Sequence, residues 1–131
     1  MILDTSALVA ILFEEPEAER MARAIAEDPV REMSALSLLE LAMVVESRKG
    51  PQAIVELESL LNDLHIEILP FDASQSRRAF AAWRRFGKGR HPAALNLGDC
   101  CTFALAAERG ASILFKGEDF GLTDCATVFV G

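Results

Sequence analysis

The sequence has no C-x-x-C motif, and its three cysteines are an odd number. Neither a zinc site nor a disulfide framework follows from such a set. Cys100 and Cys101 are neighbours on an expected helix, pointing about 100° apart, and Cys125 lies well downstream. All three read as small buried residues in a reducing cytosol. A basic leader is missing from Met1-Ile2-Leu3-Asp4, so a secretory signal is not expected. Long apolar runs are missing too: Ala7–Phe13 is interrupted by Glu14-Glu15-Pro16, far short of the roughly 20 residues a membrane span needs. The expected compartment is the cytoplasm. Between residues 73 and 98 there is no Asp or Glu, although Arg77, Arg78, Arg84, Arg85, Lys88 and Arg90 all fall there.

With 131 residues, the chain is expected to form one domain over 1–131. Its 51% hydrophobic and 25% charged residues are those of an ordinary globular protein and exclude disorder. The net charge of −7 argues against nonspecific nucleic-acid binding by the whole surface. The acid-free stretch carries six cations, so the rest of the chain stands at −13. One face is cationic within an acidic protein.

Met1-Ile2-Leu3 reads as a short strand, with Thr5 and Ser6 as cap residues for a helix through Ala7–Phe13. Pro16 opens a helix from Glu17 to about Glu27, which Asp28-Pro29 ends. Val30–Met33 is extended and leads into a helix from about Ala35 to Arg48, apolar nearly all round and so expected to be buried on most sides. Gly50-Pro51 restarts the chain as a helix to about His65. Ile66–Leu69 is a strand, Asp72 caps a helix to about Phe86, and Asn96 caps another that ends at Gly110. Ser112–Phe115 is a strand, Lys116–Asp124 a polar turn, and Thr127–Val130 a closing strand. Short apolar strands separated by helices predict a three-layer α/β/α fold around a central parallel sheet of four to five strands. Sites in such folds form beyond the carboxyl ends of the strands.

Four carboxylates stand out: Asp4, Glu40, Asp99 and Asp119. Each has an ordinary explanation. Asp4 can start a helix, Asp99 can meet the helix dipole in a first turn, and Asp119 can serve a turn. Glu40 lies in the apolar helix, where Ser37-x-x-Glu40 matches a capping box. Together they suggest more, because a doubly wound sheet brings strand ends and helix starts to one place. Carboxylates sharing a pocket repel unless a cation neutralises them. Hard oxygen ligands suit Mg²⁺ or Mn²⁺. Neither His65 nor His91 is well placed, and no nucleophilic Ser, Cys or Lys is evident. The chemistry implied is metal-activated water acting on a phosphodiester. If the helix continues far enough, Arg77, Arg78, Arg84, Arg85 and Lys88 fall within an arc of roughly 120°, with Phe80, Trp83 and Phe86 opposite. That pattern suits a phosphate track, and equally a solvated cationic face over an aromatic core stripe.

Four segments in this order resemble the PIN-domain ribonucleases, specifically VapC-type toxins of bacterial toxin–antitoxin pairs. They are Met1-Ile2-Leu3-Asp4-Thr5-Ser6-Ala7-Leu8; the Ser34 to Glu40 helix; Lys88-Gly89-Arg90-His91 followed by Leu95-Asn96-Leu97-Gly98-Asp99-Cys100; and Leu114-Phe115-Lys116-Gly117-Glu118-Asp119-Phe120 with Thr123-Asp124. The resemblance spans almost the whole chain. It implies that Asp4, Glu40, Asp99 and Asp119 are the active-site acids, with Asp4 and Asp99 the direct metal ligands. Asp124 would be a further acid near the site, and Thr5 or Ser6 would orient Asp4 or a water. It also implies Mg²⁺-dependent RNA cleavage with Mn²⁺ as a possible substitute, a homodimer, and neutralisation by a cognate VapB-type antitoxin. Arg77, Arg84, Arg85, Lys88 and Arg90 would then position the RNA backbone. Two other readings stay open: a non-catalytic PIN-like module that binds metal or RNA, and a phospho-receiver switch using Asp72 and Lys116.

Overall fold

Ile2 and Leu3 form β1 (Ile2–Leu3), and both side chains are completely buried. Successive residues of a strand point to opposite faces, so this dipeptide needs cover on two sides. In the computed structural model, which describes residues 1–128 and residue 130, helices provide it. The chain continues as α1 (Thr5–Leu12), α2 (Ala18–Glu27), β2 (Glu32–Ser34) and α3 (Ala35–Lys49). A 3-10 turn at Pro51–Ala53 leads into α4 (Ile54–Asp63), followed by β3 (Glu67–Leu69), α5 (Ala73–Phe86) and α6 (Leu97–Arg109). β4 (Ile113–Leu114) and a 3-10 turn at Phe120–Leu122 follow.

The four strands are ordered β3-β2-β1-β4 and every pairing is parallel. Ile2 lies opposite Ile113 and Leu3 opposite Leu114. Ile2 and Ile113 point into a layer built by α5 and α6, with Phe86, Phe103 and Leu105. Leu3 and Leu114 point the other way, onto Leu8, Met21, Leu41 and Leu57 of α1 to α4. The three-layer α/β/α architecture follows from this alternation. Beyond β4, Thr127 adds a single parallel bridge to Ile113. Of the expected Thr127–Val130 strand, the described residues show that bridge; Phe129 and Gly131 lie outside them.

Asp72 and Asn96 cap α5 and α6 as expected, each accepting a backbone N–H three residues on, and Gly110 ends α6 in the left-handed region at φ 60°. Three local expectations change. Asp4, not Thr5 or Ser6, caps α1, because its carboxylate accepts the Ser6 N–H. Ser34, not Ser37, caps α3, so Glu40 is not the reciprocal partner of a capping box. Nor is α3 enclosed: it buries Ser37, Leu41 and Val45 at four-residue spacing, while Leu39 and Met43 are 57% and 64% exposed. The hydrophobic composition of this helix exceeds what the core can take up.

The far end of α6 is tied to the sheet by a charge pair. Glu32 on β2 is 3% exposed and accepts two hydrogen bonds from Arg109, at 3.1 and 2.8 Å. Removing one partner of such a pair strands a buried charge. Because the guanidinium is half exposed, we expect Arg109→Ala to lower the urea unfolding free energy by about 2–3 kcal/mol. Glu32→Met combined with Arg109→Met should recover most of that loss. An Arg109→Ala protein as stable as wild type would contradict this role.

Candidate active site

Asp4 follows β1 at its carboxyl end and is 5% exposed. Three donors satisfy its buried carboxylate. Oδ2 accepts the Ser6 N–H at 3.1 Å and the Ser6 hydroxyl at 2.7 Å, and Oδ1 accepts the Thr102 hydroxyl from α6 at 2.7 Å. Ser6 is itself held by the Lys116 N–H at 2.9 Å, which links α1 to the chain leaving β4. Ser6 therefore orients Asp4. Thr5 does not: its hydroxyl donates to the Ser37 carbonyl at 3.1 Å and joins α1 to α3.

Glu40 projects from α3 against the first turn of α6. Gly98 leaves room for this approach: a Cβ there would collide with the Glu40 carboxylate oxygens, which would have to shift. Asp99, the next residue, completes a capping box with Asn96, accepting the Asn96 N–H at 3.0 Å while its own N–H donates to Asn96 at 2.9 Å. Burial is the main cause that pushes the Asp99 carboxyl up to about 7. The Asn96 N–H opposes the rise, and the carboxylates of Asp4, Asp119 and Glu40 add to it. Asp4 at the end of β1, Glu40 on α3 and Asp119 in the turn after β4 thus all bear on Asp99 of α6. Asp119 is exposed at the start of the Phe120–Leu122 turn. That turn is less polar than expected: Phe120 is buried and packs edge-on against Phe115, ring centres 5.0 Å apart, which anchors Asp119.

Asp124 is paired with Arg85 of α5 at 2.5 Å. This pair also qualifies the apparent lack of acids around the basic segment. α5 ends at Phe86, so Lys88 and Arg90 lie in the following loop and the five-residue cationic arc is not continuous. Arg77, Arg84 and Arg85 are exposed on α5. The opposite side is not a core stripe, since only Phe86 is buried, whereas Phe80 and Trp83 are 55% and 37% exposed and stacked. Arg84 lies over Phe80 and Arg90 over Trp83, at 4.9 and 4.3 Å from the ring centres. Both rings line an apolar cavity of about 420 Å³ that reaches Leu97, Cys100 and Cys101. Burial raises these two thiols to about 11 and about 12, so they are inert packing groups. The three cysteines are free, with Cys125 half-buried.

The acidic side chains that bear on Asp99 are carboxylates, whose oxygens suit a hard divalent cation. The gap left at Gly98 for the Glu40 carboxylate belongs to the same arrangement. Among the described residues, no three Asp, Glu, His or Cys side chains are drawn tightly enough together to hold an ion unaided. Mg²⁺ ordinarily takes one or two carboxylates and keeps several waters, so the set fits that ion. Sequence reasoning missed Thr102, named Gly98 only within a motif, and read Ser37 only as a cap. Thr102 lies three residues after Asp99, hence on the same helix face, and a glycine within a helix needs a reason. A phospho-receiver is not built here: Asp72 is occupied as the cap of α5, and the Lys116 ammonium is paired with Glu15 and Glu17.

Residues 1–124 match the PIN domain family. The chain is 52% identical to "Ribonuclease VapC" of Mycolicibacterium smegmatis over 128 residues, covering 98% of this chain and 99% of that protein. It is 48% identical to "Ribonuclease VapC30" of Mycobacterium tuberculosis, covering 98% of each. Among solved structures, Mycobacterium tuberculosis VapC20, described as a Sarcin-Ricin loop cleaving toxin, superposes with a TM-score of 0.79 at 20% identity over 97% of both chains. VapBC2 of Rickettsia felis, bound to a DNA fragment from its promoter, gives 0.76 at 17% identity over 97% of this chain and 96% of that one. On these matches and this fold, the chain belongs to the PIN-domain family and, within it, to the VapC ribonucleases of toxin–antitoxin systems.

Proposed function

We propose that this protein is a Mg²⁺-dependent endoribonuclease toxin whose active site is formed by Asp4, Glu40, Asp99 and Asp119. The observation that carries the reading is the placement of Asp4 against α6 through Thr102 and of Glu40 against Gly98, the residue before Asp99; the charges of Asp4, Asp119 and Glu40 also bear on Asp99. Asp4 and Asp99 are the direct ligands of the ion, Glu40 and Asp119 complete its surroundings, and Mn²⁺ can substitute. A bound divalent ion would supply Lewis-acid polarisation of phosphate and a lowered pKa for water. Ser6 keeps Asp4 oriented, and Gly98 gives Glu40 room. Asp99 must give up its proton to serve as a ligand. Arg77, Arg84, Arg85, Lys88 and Arg90 position the RNA backbone without reading its sequence. Asp124 is a further acid of this region, paired with Arg85.

The same reading includes a homodimer, a cytoplasmic location and neutralisation by a VapB-type antitoxin. Exposed Leu39, Met43 and Leu97 border one apolar groove, which supports a protein partner on this face. The chain outside residues 73–98, at −13, favours a cationic antitoxin segment. No helix is long and apolar enough to cross a membrane among the described residues.

Asp4→Asn should lower Mg²⁺-dependent RNA cleavage at least about 100-fold, into the range lost with a direct metal ligand or its neighbours, with an unchanged circular dichroism spectrum. Wild-type cleavage by this variant, or wild-type protein that binds the ion without cutting RNA, would contradict the reading. Arg84→Ala with Arg85→Ala should make the salt slope of RNA binding shallower by about 1.4, at about 0.7 per phosphate contact on a single strand. An unchanged slope would remove α5 from the RNA path.

Metal-free stability gives a third check. The folded-state pKa of Asp99, about 7, lies above its ordinary 3.8, so the folded protein retains a proton that the unfolded chain has released. That stabilisation is present at low pH and lost as pH rises through about 7. In EDTA, the melting temperature should fall between pH 5 and pH 8, and Asp99→Asn should flatten the fall. An equal pH slope in the variant would show that Asp99 is not the group responsible.

A further inference from the structure

The Asp4 carboxylate is held by more than its neighbours on α1. Thr102 and Ser37 are both completely buried. The Thr102 hydroxyl has one proton, and it is donated to Asp4 Oδ1 at 2.7 Å. The 3.3 Å contact between the Ser37 and Thr102 hydroxyls can then run in one direction only, with Ser37 donating. Ser37 is tied in turn to α1, its carbonyl accepting the Thr5 hydroxyl at 3.1 Å. A directed chain of hydroxyls therefore runs from α3 through α6 to Asp4. Buried hydroxyls in such a chain have no solvent to turn toward, so their orientation is set by one another.

The consequence appears on the carboxylate itself. Asp4 offers about four lone-pair positions. Ser6 occupies two at Oδ2 with its N–H and its hydroxyl, and Thr102 occupies one at Oδ1. A single position remains, on Oδ1. We propose that Thr102 is a positioning residue that, backed by Ser37, fixes which lone pair of Asp4 Oδ1 is left for a divalent cation. Asp4 would then bind through that one oxygen. The inference rests on the metal-dependent reading above and adds a residue to it. Thr102 touches neither substrate nor the reacting atoms; it acts through Asp4.

The test compares Thr102→Val, which keeps the shape and removes the donor, with Thr102→Ser, which keeps the donor. Mn²⁺ affinity by calorimetry, kcat and KM for RNA, and the melting temperature in EDTA are measured for each. Thr102→Val should bind Mn²⁺ about 10–100-fold more weakly, the usual loss when a ligand's hydrogen-bond partner is removed. Its kcat should drop while KM holds, and Thr102→Ser should stay close to wild type in both readouts. Wild-type Mn²⁺ affinity and kcat in Thr102→Val would overturn the proposal, as would a Thr102→Ser protein impaired to the same degree. Should Thr102→Val not fold, Ser37→Ala tests the hydroxyl one step behind: weaker Mn²⁺ binding is expected, and unchanged affinity overturns the proposal. Wild-type protein that neither binds Mn²⁺ nor cuts RNA would defeat the functional reading as well, which separates the two failures.

Discussion

Placing a carboxylate at the buried end of a parallel strand creates a demand that the rest of this fold is arranged to meet. Asp4 has almost no contact with solvent, and a charge so placed must be hydrogen-bonded. Its donors come from the start of α1 and the middle of α6, which fixes how those two helices sit against β1. The same docking brings the first turn of α6 beside α3, where the absent side chain of Gly98 admits the Glu40 carboxylate. Asp99 then lies among like charges, and its raised pKa records the combined effect of burial and repulsion. The acidic site is thus a consequence of satisfying one buried group.

The two layers of helices have different tasks. α5 and α6 pack on the face carrying Ile2 and Ile113, and α5 with the loop after it presents arginines interleaved with exposed aromatic rings. α1 to α4 pack on the other face and keep Glu40 in place. Between them, the turn after β4 is held by the buried ring of Phe120 and by the bond from Lys116 to Ser6, so Asp119 rests on an anchored segment.

The fold was largely legible in the sequence because its signals were local. Ile2-Leu3 and Ile113-Leu114 are short apolar strands between helices, and Asp72, Asn96 and Gly110 mark helix ends through their own side-chain or backbone chemistry. What escaped depends on contacts distant in the chain. Ser37 looked like a cap because of its spacing from Glu40, yet the chain direction out of β2 makes Ser34 the cap. Phe80 and Trp83 lie on the expected aromatic side of α5, but the neighbouring surface leaves a cavity instead of core. Of the site, the acids could be singled out as residues, whereas Thr102 and Gly98 acquire meaning only once α6 lies against β1 and α3.

Crystals soaked in Mn²⁺ and measured for anomalous scattering address the central claim most directly. The account predicts an anomalous peak within about 2.1 Å of carboxylate oxygens of Asp4 and Asp99. A fully soaked crystal with its strongest peak at another group of acids, and none between these two, would contradict it.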